Sequence, residues 1–411
     1  MLTICPKGGF SYVYLVSDTS DSTLYALKKI RCPFGRESVA QALKEVEAYA
    51  LFTPHPHIIH AVDHSVVSSS SSGGDADKTV YILLPYYRRG NLQDAINANL
   101  VNHAQFPEKR LMILFLGVAQ ALKAMHQYRV KRGPGGERAQ RKAIDVREAA
   151  EEADIDAKKK AARRKRKTGD HMEVDDEQEQ PLMDDEVTRS QEGVGEGDLR
   201  AYAHRDVKPG KKTSSPSWLK CPAADVRAGN IMISDTGTSP ILMDLGSLAP
   251  SPVAITSRSL ALQVQDTAAE HSTMPYRAPE LFDVKTGTII DTKVDIWSFG
   301  CTLFACLVGK SPFEMRSEET GGSLSICVLG GDWRFPDEGK SKDKGKGKGQ
   351  SNGQAGGGQA ADPSDKISES VREVVRACLR VEPAERPDID ELIRSIEDVI
   401  TGLPEDNDRE A

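Results

Sequence analysis

The sequence has few cysteines and only a small excess of charge of one sign. It has seven cysteines in 411 residues, an odd number without a Cys-x-x-Cys pair. This argues for free thiols in a reducing compartment rather than a disulfide framework or a zinc site. The formal net charge is only −7 at pH 7, so no global field points to nucleic acid or to a membrane surface.

Long apolar runs are also missing. The longest, from Ile296 to Gly309, is interrupted by Ser298 and Thr302 and is shorter than the roughly 20 residues that span a bilayer. It therefore predicts a buried core helix. We recognise no signal peptide and expect a cytoplasmic protein.

What the sequence does have is a group of polar residues between His204 and Gly246. The group opens with His204-Arg205-Asp206-Val207-Lys208-Pro209, continues through Gly229-Asn230-Ile231, and closes with Leu242-Met243-Asp244-Leu245-Gly246. Phosphoryl transfer from ATP requires such parts, because one carboxylate accepts the proton of the substrate hydroxyl while an Asn and an Asp hold Mg²⁺ against the phosphates.

This group resembles the catalytic loop and the metal-binding loop of eukaryotic protein kinases. The resemblance implies an α+β fold with two lobes, a small antiparallel β lobe with one main helix and a larger, mainly helical lobe. It also implies roles for individual residues: Asp206 would accept the proton, Lys208 would steady the phosphoryl group, and Asn230 and Asp244 would hold Mg²⁺. Lys208 is typical of serine/threonine rather than tyrosine kinases, and His204 and Arg205 would be structural.

The N-terminal part matches the kinase phosphate-binding loop only partially. Gly8 and Gly9 precede an alternating strand that contains Val13, but Pro6 and Ser11 stand where two further glycines are usual. A glycine pair before a strand is more often a plain hairpin, and that alternative stays open. The resemblance implies an ATP site formed by Gly8, Gly9, Val13, Ala26, Lys28, Leu84, Tyr86 and Tyr87, with Leu84 as the gatekeeper.

Lys28 is the expected phosphate-binding lysine, because Leu24 to Ile30 resembles the third strand of the kinase small lobe. Helical periodicity follows from Val39 to Phe52. Glu45 on this helix would pair with Lys28, and Glu47 is the alternative partner.

Two interruptions break the resemblance, and the longer one covers 130–199. It is charged and lacks the apolar periodicity of a core, so we expect no fold of its own. Eight of the ten residues from Lys158 to Lys167 are basic. Such a run is usually a solvated face, and the alternative is a nuclear-import or acidic-partner role.

The second interruption separates Asp206 from Asn230. In kinases the Asn follows the Asp by five residues, whereas here it follows by 24, and removing 211–229 restores His-Arg-Asp-Val-Lys-Pro-Gly-Asn. Both ends of the segment 211–229 can be encoded by splice-site consensus bases, so we hypothesise that the segment is a translated, retained intron. We hypothesise a similar gene-model origin for the abrupt start of the chain before Gly8. The 19 extra residues should let Asn230 depart from Asp206 or add an ordering cost, and misplacement can reduce a rate on the order of a hundredfold.

The resemblance also covers the C-terminal half. Asp295 would brace the catalytic-loop backbone, and Glu280 and Arg386 would form a buried ion pair. The predicted segments are an N-lobe over 1–87 with an apparently truncated first strand, the start of the C-lobe over 88–129, the insertion over 130–199, the C-lobe core over 200–337, a low-complexity linker over 338–364, and terminal helices over 365–402.

Within the kinases, the chain resembles the Numb-associated kinase family, closest to its smallest, myristoylated and palmitoylated branch. The resemblance rests on Leu245 in place of the usual Phe, on the stretch Ala261-Leu262-Gln263-Val264-Gln265-Asp266-Thr267-Ala268-Ala269, and on Pro275-Tyr276-Arg277-Ala278-Pro279-Glu280-Leu281-Phe282. Members of that branch carry an acylation signal, but Met1-Leu2 is not one. Endomembrane association is nevertheless an alternative to a purely cytoplasmic location.

We therefore expect a serine/threonine kinase that uses ATP and Mg²⁺ on protein substrates, its own chain included. The rival interpretation is a catalytically impaired kinase-fold scaffold or a mis-spliced product, favoured by the partial glycine loop and by the insertion at 211–229. Direct nucleic-acid binding is not expected, because Lys158 to Lys167 lacks interleaved aromatic residues and a folded module to present it.

Overall fold

The computed structural model describes residues 2–7, 11–33, 35–68, 78–129, 199–210, 230–338 and 367–405. The chain divides into two compact units: Met1–Gln127 with Ala201–Ala411, and Tyr128–Arg200. Gly8 and Gly9, nearly all of the charged insertion, the catalytic-loop insertion and all of the predicted linker except Glu338 lie outside the described residues.

The N-terminal part of the larger unit is an antiparallel sheet with the strand order β1-β2-β3-β5-β4. Its elements are β1 (Leu2–Lys7), β2 (Ser11–Ser17), β3 (Leu24–Cys32), α1 (Gly35–Leu51), β4 (Asp63–Ser68) and β5 (Lys78–Pro85). Helix α1 packs on β3 and β5, so it can bring a side chain to the buried face of the sheet. The first strand, expected to be truncated, pairs with β2 along its length.

The rest of the larger unit is mainly helical. Its helices are α2 (Leu92–Asn102), α3 (Glu108–His126), α4 (Arg258–His271), α5 (Lys293–Val308), α6 (Pro312–Thr320), α7 (Leu324–Gly330), α8 (Glu369–Cys378) and α9 (Ile389–Gly402). Short antiparallel ladders join β8 (Ile231–Ile233) to β9 (Pro240–Leu242) and β11 (Val253–Ala254) to β12 (Ile289–Ile290). The two-lobed α+β architecture predicted from the sequence is confirmed.

Helix α5 forms the centre of the helical part. It is buried from Val294 to Cys306, as the sequence predicted for a core helix, and Trp297, Phe299, Leu303 and Phe304 are completely buried. No single helix among the described residues is long and apolar enough to cross a membrane, although α5 and α6 together, bent by 68°, pass the length and composition test.

The smaller unit is described only at its two ends. Strand β6 (Tyr128–Arg129) pairs antiparallel with the first two residues of β7 (Leu199–Ala203), so that Tyr128 lies opposite Arg200 and Arg129 opposite Leu199. The last three residues of β7 belong to the larger unit, where they pair with β10 (Ala249–Ser251). The charged insertion thus joins two chain ends that form one hairpin ladder.

Candidate active site

The buried face of the sheet places the predicted nucleotide-binding side chains together. Alternate residues of a strand point to the same side, so Ala26 and Lys28 on β3 share a face, and Leu84 on β5 lies directly opposite Ala26. Val13 on β2 lies opposite Lys28, and all four side chains are buried. This apolar surface beside a lysine suits a flat heterocycle that carries phosphates.

The chain leaves this face through two tyrosines, Tyr86 and Tyr87, which are partly exposed. Burial, and then the nearby Asp235 carboxylate, raise the pKa of the Tyr87 phenol above its ordinary value. Tyr87 therefore stays neutral at physiological pH. Gly8 and Gly9, predicted to cover the phosphates, are among the residues outside the description.

Lys28 is held by a carboxylate from α1. Its Nζ lies 2.5 and 2.6 Å from the two carboxylate oxygens of Glu45 and 3.3 Å from Oδ1 of Asp244. Burial lowers the pKa of Lys28, but the two carboxylates outweigh that effect and the pKa lies above its ordinary value. The ammonium is therefore a fixed positive charge, and Glu47, the alternative partner, is exposed.

Asp206 is buried at the centre of a hydrogen-bonded cluster. Its Oδ2 accepts hydrogen bonds from Nζ of Lys208 and, at 2.8 Å, from Nδ2 of Asn230. Its Oδ1 accepts from the backbone N and the Oγ1 of Thr273, at 3.1 and 3.0 Å. Lys208 also donates to the Thr273 hydroxyl. The carboxylate is thereby fixed in orientation by three residues.

Asn230 keeps its place beside Asp206 although 211–229 lies between them. Its Nδ2 donates to both the backbone O of Asp206, at 2.7 Å, and the side-chain Oδ2. Its own backbone O accepts from the N of Met243, at 2.8 Å, and so links the amide to the strand that leads into Asp244. We expected the insertion either to separate Asn230 from Asp206 or to add an ordering cost. The first expectation is wrong, since the two residues are in contact. The ordering cost of the longer connection remains a prediction.

Asp244 and Asn230 offer oxygen ligands of the kind that Mg²⁺ prefers. Asp244 has a positive φ of 57°, a conformation that costs energy in a residue with a side chain and that clusters at functional sites. No group of three His, Cys, Asp or Glu side chains that could hold a metal ion occurs among the described residues. A carboxylate and an amide fit a Mg²⁺ ion that takes its remaining ligands from phosphates and water.

The backbone of the catalytic loop is anchored by Asp295 at the start of α5. Its Oδ1 accepts a hydrogen bond from the backbone N of Arg205 and its Oδ2 from the backbone N of His204, both at 2.7 Å. Nε2 of His126, at the end of α3, lies 3.0 Å from the same Oδ2. Burial raises the pKa of Asp295, but these donors prevail and hold it below its ordinary value. The anchor fixes Arg205 at a positive φ of 67°.

A second buried ion pair lies further from the cluster. Arg386 donates from Nη1 and Nη2 to the two carboxylate oxygens of Glu280, at 2.7 and 2.9 Å. The guanidinium is fully buried, lies 5.0 Å from the ring of Trp297 and also donates to the carbonyls of Lys293, Arg380 and Val381. All its donors therefore point at acceptors, so Arg386 ties the segment between α8 and α9 to the segment after α4 and to the start of α5.

Three residues of this site were missed by sequence reasoning. Thr273 binds Asp206, Tyr49 donates from its hydroxyl to Glu45 at 2.5 Å, and His126 contacts Asp295. Thr273 and His126 lie far from their partners in the chain, so no spacing could reveal them. Tyr49 carried a usable signal, because residues four apart on a helix share a face.

Comparison with known proteins is consistent with this geometry. The family model of the protein kinase domain matches residues 5–131 and 223–396. The loop from His204 to Lys208 falls between these two ranges, so its assignment rests on its contacts in the structure. Serine/threonine-protein kinase ppk13 of Schizosaccharomyces pombe is 30% identical over 330 residues, covering 80% of this chain and 77% of that protein. Serine/threonine-protein kinase ENV7 of Saccharomyces cerevisiae is 29% identical over 405 residues, covering 96% and 90%. Serine/threonine-protein kinase 16 of Homo sapiens is 27% identical over 323 residues, covering 78% and 73%.

Proposed function

Because this chain belongs to the protein kinase domain family, we propose that it transfers the γ-phosphoryl group of ATP to serine and threonine hydroxyls of protein substrates, its own chain included. The relatives named serine/threonine-protein kinases support this activity. One observation supports catalytic activity of the full chain with residues 211–229 included. It is the pair of hydrogen bonds from Asn230 to Asp206. They close the catalytic loop across residues 211–229.

In this proposal each polar residue has one task. Asp206, oriented by Lys208, Asn230 and Thr273, accepts the proton of the substrate hydroxyl. Lys208 places a positive charge where negative charge develops on the transferring group. Lys28, fixed by Glu45, holds the phosphates in line.

Asn230 and Asp244 would hold Mg²⁺, which when bound neutralises the charge of the phosphates. Nδ2 of Asn230 is engaged with Asp206, and no hydrogen bond among the described residues uses its Oδ1, so the amide presents an oxygen for the metal. Asp244 is the anionic ligand, and its contact with Lys28 joins the metal site to the phosphate site.

We further propose that the chain belongs to the Numb-associated family, near its smallest branch. The similarity to serine/threonine-protein kinase 16 supports this, as do the residues from Ala261 to Ala269, which lie on α4. A phylogeny of catalytic domains that groups the chain with another kinase family would contradict the placement.

We propose a cytoplasmic location. Imaging of fluorescent fusions with and without Lys158 to Lys167 tests whether the basic run directs the protein to the nucleus.

The activity is tested by incubating the full chain with radiolabelled ATP, Mg²⁺ and a library of peptides, followed by phosphoamino acid analysis. We expect label on serine and threonine, and loss of label with Asp206→Asn, which retains the volume but not the base. Label confined to tyrosine would contradict the proposed specificity. Labelling that persists in Asp206→Asn would contradict the proposed base.

A further inference from the structure

Tyr49 lies one helical turn after Glu45 on α1, on the face that packs against the site. The side chain is almost completely buried, with 1% of its surface exposed. Its hydroxyl donates to Oε1 of Glu45 at 2.5 Å, and the same oxygen accepts a hydrogen bond from Lys28. The orientation of this carboxylate is therefore set from two sides.

The helix that carries Tyr49 also packs against the metal-binding loop. Its contact there is with the turn Leu245–Ser247, which directly follows Asp244. A Cβ placed on Gly246 would lie 3.6 Å from Oδ1 of Asp244 and 3.6 Å from Oε2 of Glu45. Both carboxylates thus lie next to this turn.

The phenol is a neutral donor at this position. Burial, followed by the charges of Glu45 and Asp244, raises the pKa of Tyr49 well above its ordinary value. The hydroxyl therefore keeps its proton, and it can satisfy a carboxylate without competing with the positive charge of Lys28. A hydrogen bond to a charged, buried acceptor is among the stronger ones in proteins.

We propose that Tyr49 is a positioning residue for phosphoryl transfer. Its hydroxyl fixes Glu45 in the orientation that receives Lys28, and the ammonium of Lys28 in turn contacts Asp244. This inference rests on the proposed roles of Lys28, Glu45 and Asp244.

The test compares Tyr49→Phe, Glu45→Gln and the double variant with the full chain. Phenylalanine fills the same space and removes only the hydroxyl. We expect kcat/KM for ATP to fall on the order of tenfold in Tyr49→Phe, the loss of one hydrogen bond to a charged group. If Tyr49 acts through Glu45, the double variant is no worse than Glu45→Gln alone, since residues in one network are not additive.

Tyr202→Phe is the matched control. Tyr202 is another buried tyrosine, on β7, where it packs edge to face on Phe52 with ring centroids 6.1 Å apart. Its variant is expected to keep the kcat/KM of the full chain. Melting temperatures of both variants separate a loss of stability from a loss of positioning.

Two results would overturn the Tyr49 proposal while leaving the function intact. One is an unchanged kcat/KM in Tyr49→Phe beside an impaired Glu45→Gln, whether or not the melting temperature falls. The other is a loss that adds fully to that of Glu45→Gln. Full activity of Glu45→Gln would instead overturn the proposed role of Glu45, and the Tyr49 proposal with it.

Discussion

Removing residues 211–229 is expected to raise the rate of phosphoryl transfer by about tenfold. The deletion joins Gly210 directly to Asn230. A Cβ on Gly210 would lie 2.9 Å from Oδ1 of Asn91, and Asn91 forms a β-bridge with Met232, two residues beyond Asn230. Both ends of the deletion thus lie beside the same residue, so the shortened connection has little distance to span.

The magnitude follows from loop length, because Asn230 already contacts Asp206 in the chain as written. Between these two residues there are 23 others in the full chain and four after the deletion. Closure cost grows as (3/2)RT times the logarithm of loop length, which gives a difference of about 1.5 kcal/mol. If the rate of phosphoryl transfer depends on the closed loop, this free-energy difference changes the rate by about tenfold. A displaced metal ligand such as Asn230 would have a larger effect, roughly hundredfold.

The assay is peptide phosphorylation at saturating ATP and Mg²⁺. It compares the full chain, the deletion, and a form in which a Gly/Ser segment of equal length replaces 211–229. The equal-length form should be as slow as the full chain, since length sets the cost. Equal rates for the full chain and the deletion would refute the ordering argument and the retained-intron hypothesis. A gain far above a hundredfold would show that Asn230 is displaced in solution.

Excising 133–196 is expected to leave ATP turnover within about twofold, because the saved loop-closure cost acts on the β6–β7 ladder, which holds no residue of the proposed transfer site; a steady-state turnover assay checks this. Glu280→Gln should lower the free energy of unfolding by about 3–5 kcal/mol, because the buried Arg386 keeps its charge without a carboxylate to balance it; denaturant titration measures the loss. The pKa of Asp295 lies below its ordinary value of 3.8, so its stabilisation is present above that pH and is lost as the pH falls through the folded-state pKa. Asp295→Asn should therefore be less stable at pH 7 and should lose stability less steeply below pH about 4, as thermal melts across that range will show.

Each of these predictions has a contrary outcome. Loss of folding on excision would make the charged insertion part of the core. Glu318→Gln, which breaks the exposed pair with Lys310, is the control for Glu280→Gln and should cost less than about 1 kcal/mol; equal losses would contradict the burial argument. Parallel stability curves for Asp295→Asn and the unaltered chain would contradict the pH argument.

Much of the site could be predicted because its residue types are dictated by chemistry. A carboxylate that accepts a proton and a lysine that holds phosphates admit few substitutes, so Asp206 and Lys28 are identifiable from short motifs. The partner of Lys28 was ambiguous between Glu45 and Glu47, which lie two positions apart on α1 and so about 200° apart around the helix. Only one of them can face the sheet, and the packing of α1 on β3 and β5, which a local pattern does not contain, selects Glu45.

The remaining features depend on tertiary contacts that the sequence does not encode locally. Thr273 meets Asp206 only because the segment after α4 folds back over the catalytic loop. The position of Asn230 could not be predicted, because loop length alone does not fix it. Its side chain and the strand it precedes hold it in place from the far side of the insertion.

The central claim is that Asp206, Asn230 and Asp244 form a working phosphoryl-transfer site, and Mg²⁺-dependent transfer by Asp244→Asn tests it most directly. The variant is made in the full chain and in the form lacking 211–229, and it removes an anionic metal ligand without changing packing. We predict that transfer falls by orders of magnitude in both forms while the melting temperature is retained. Near-normal turnover by Asp244→Asn at any Mg²⁺ concentration would contradict the account.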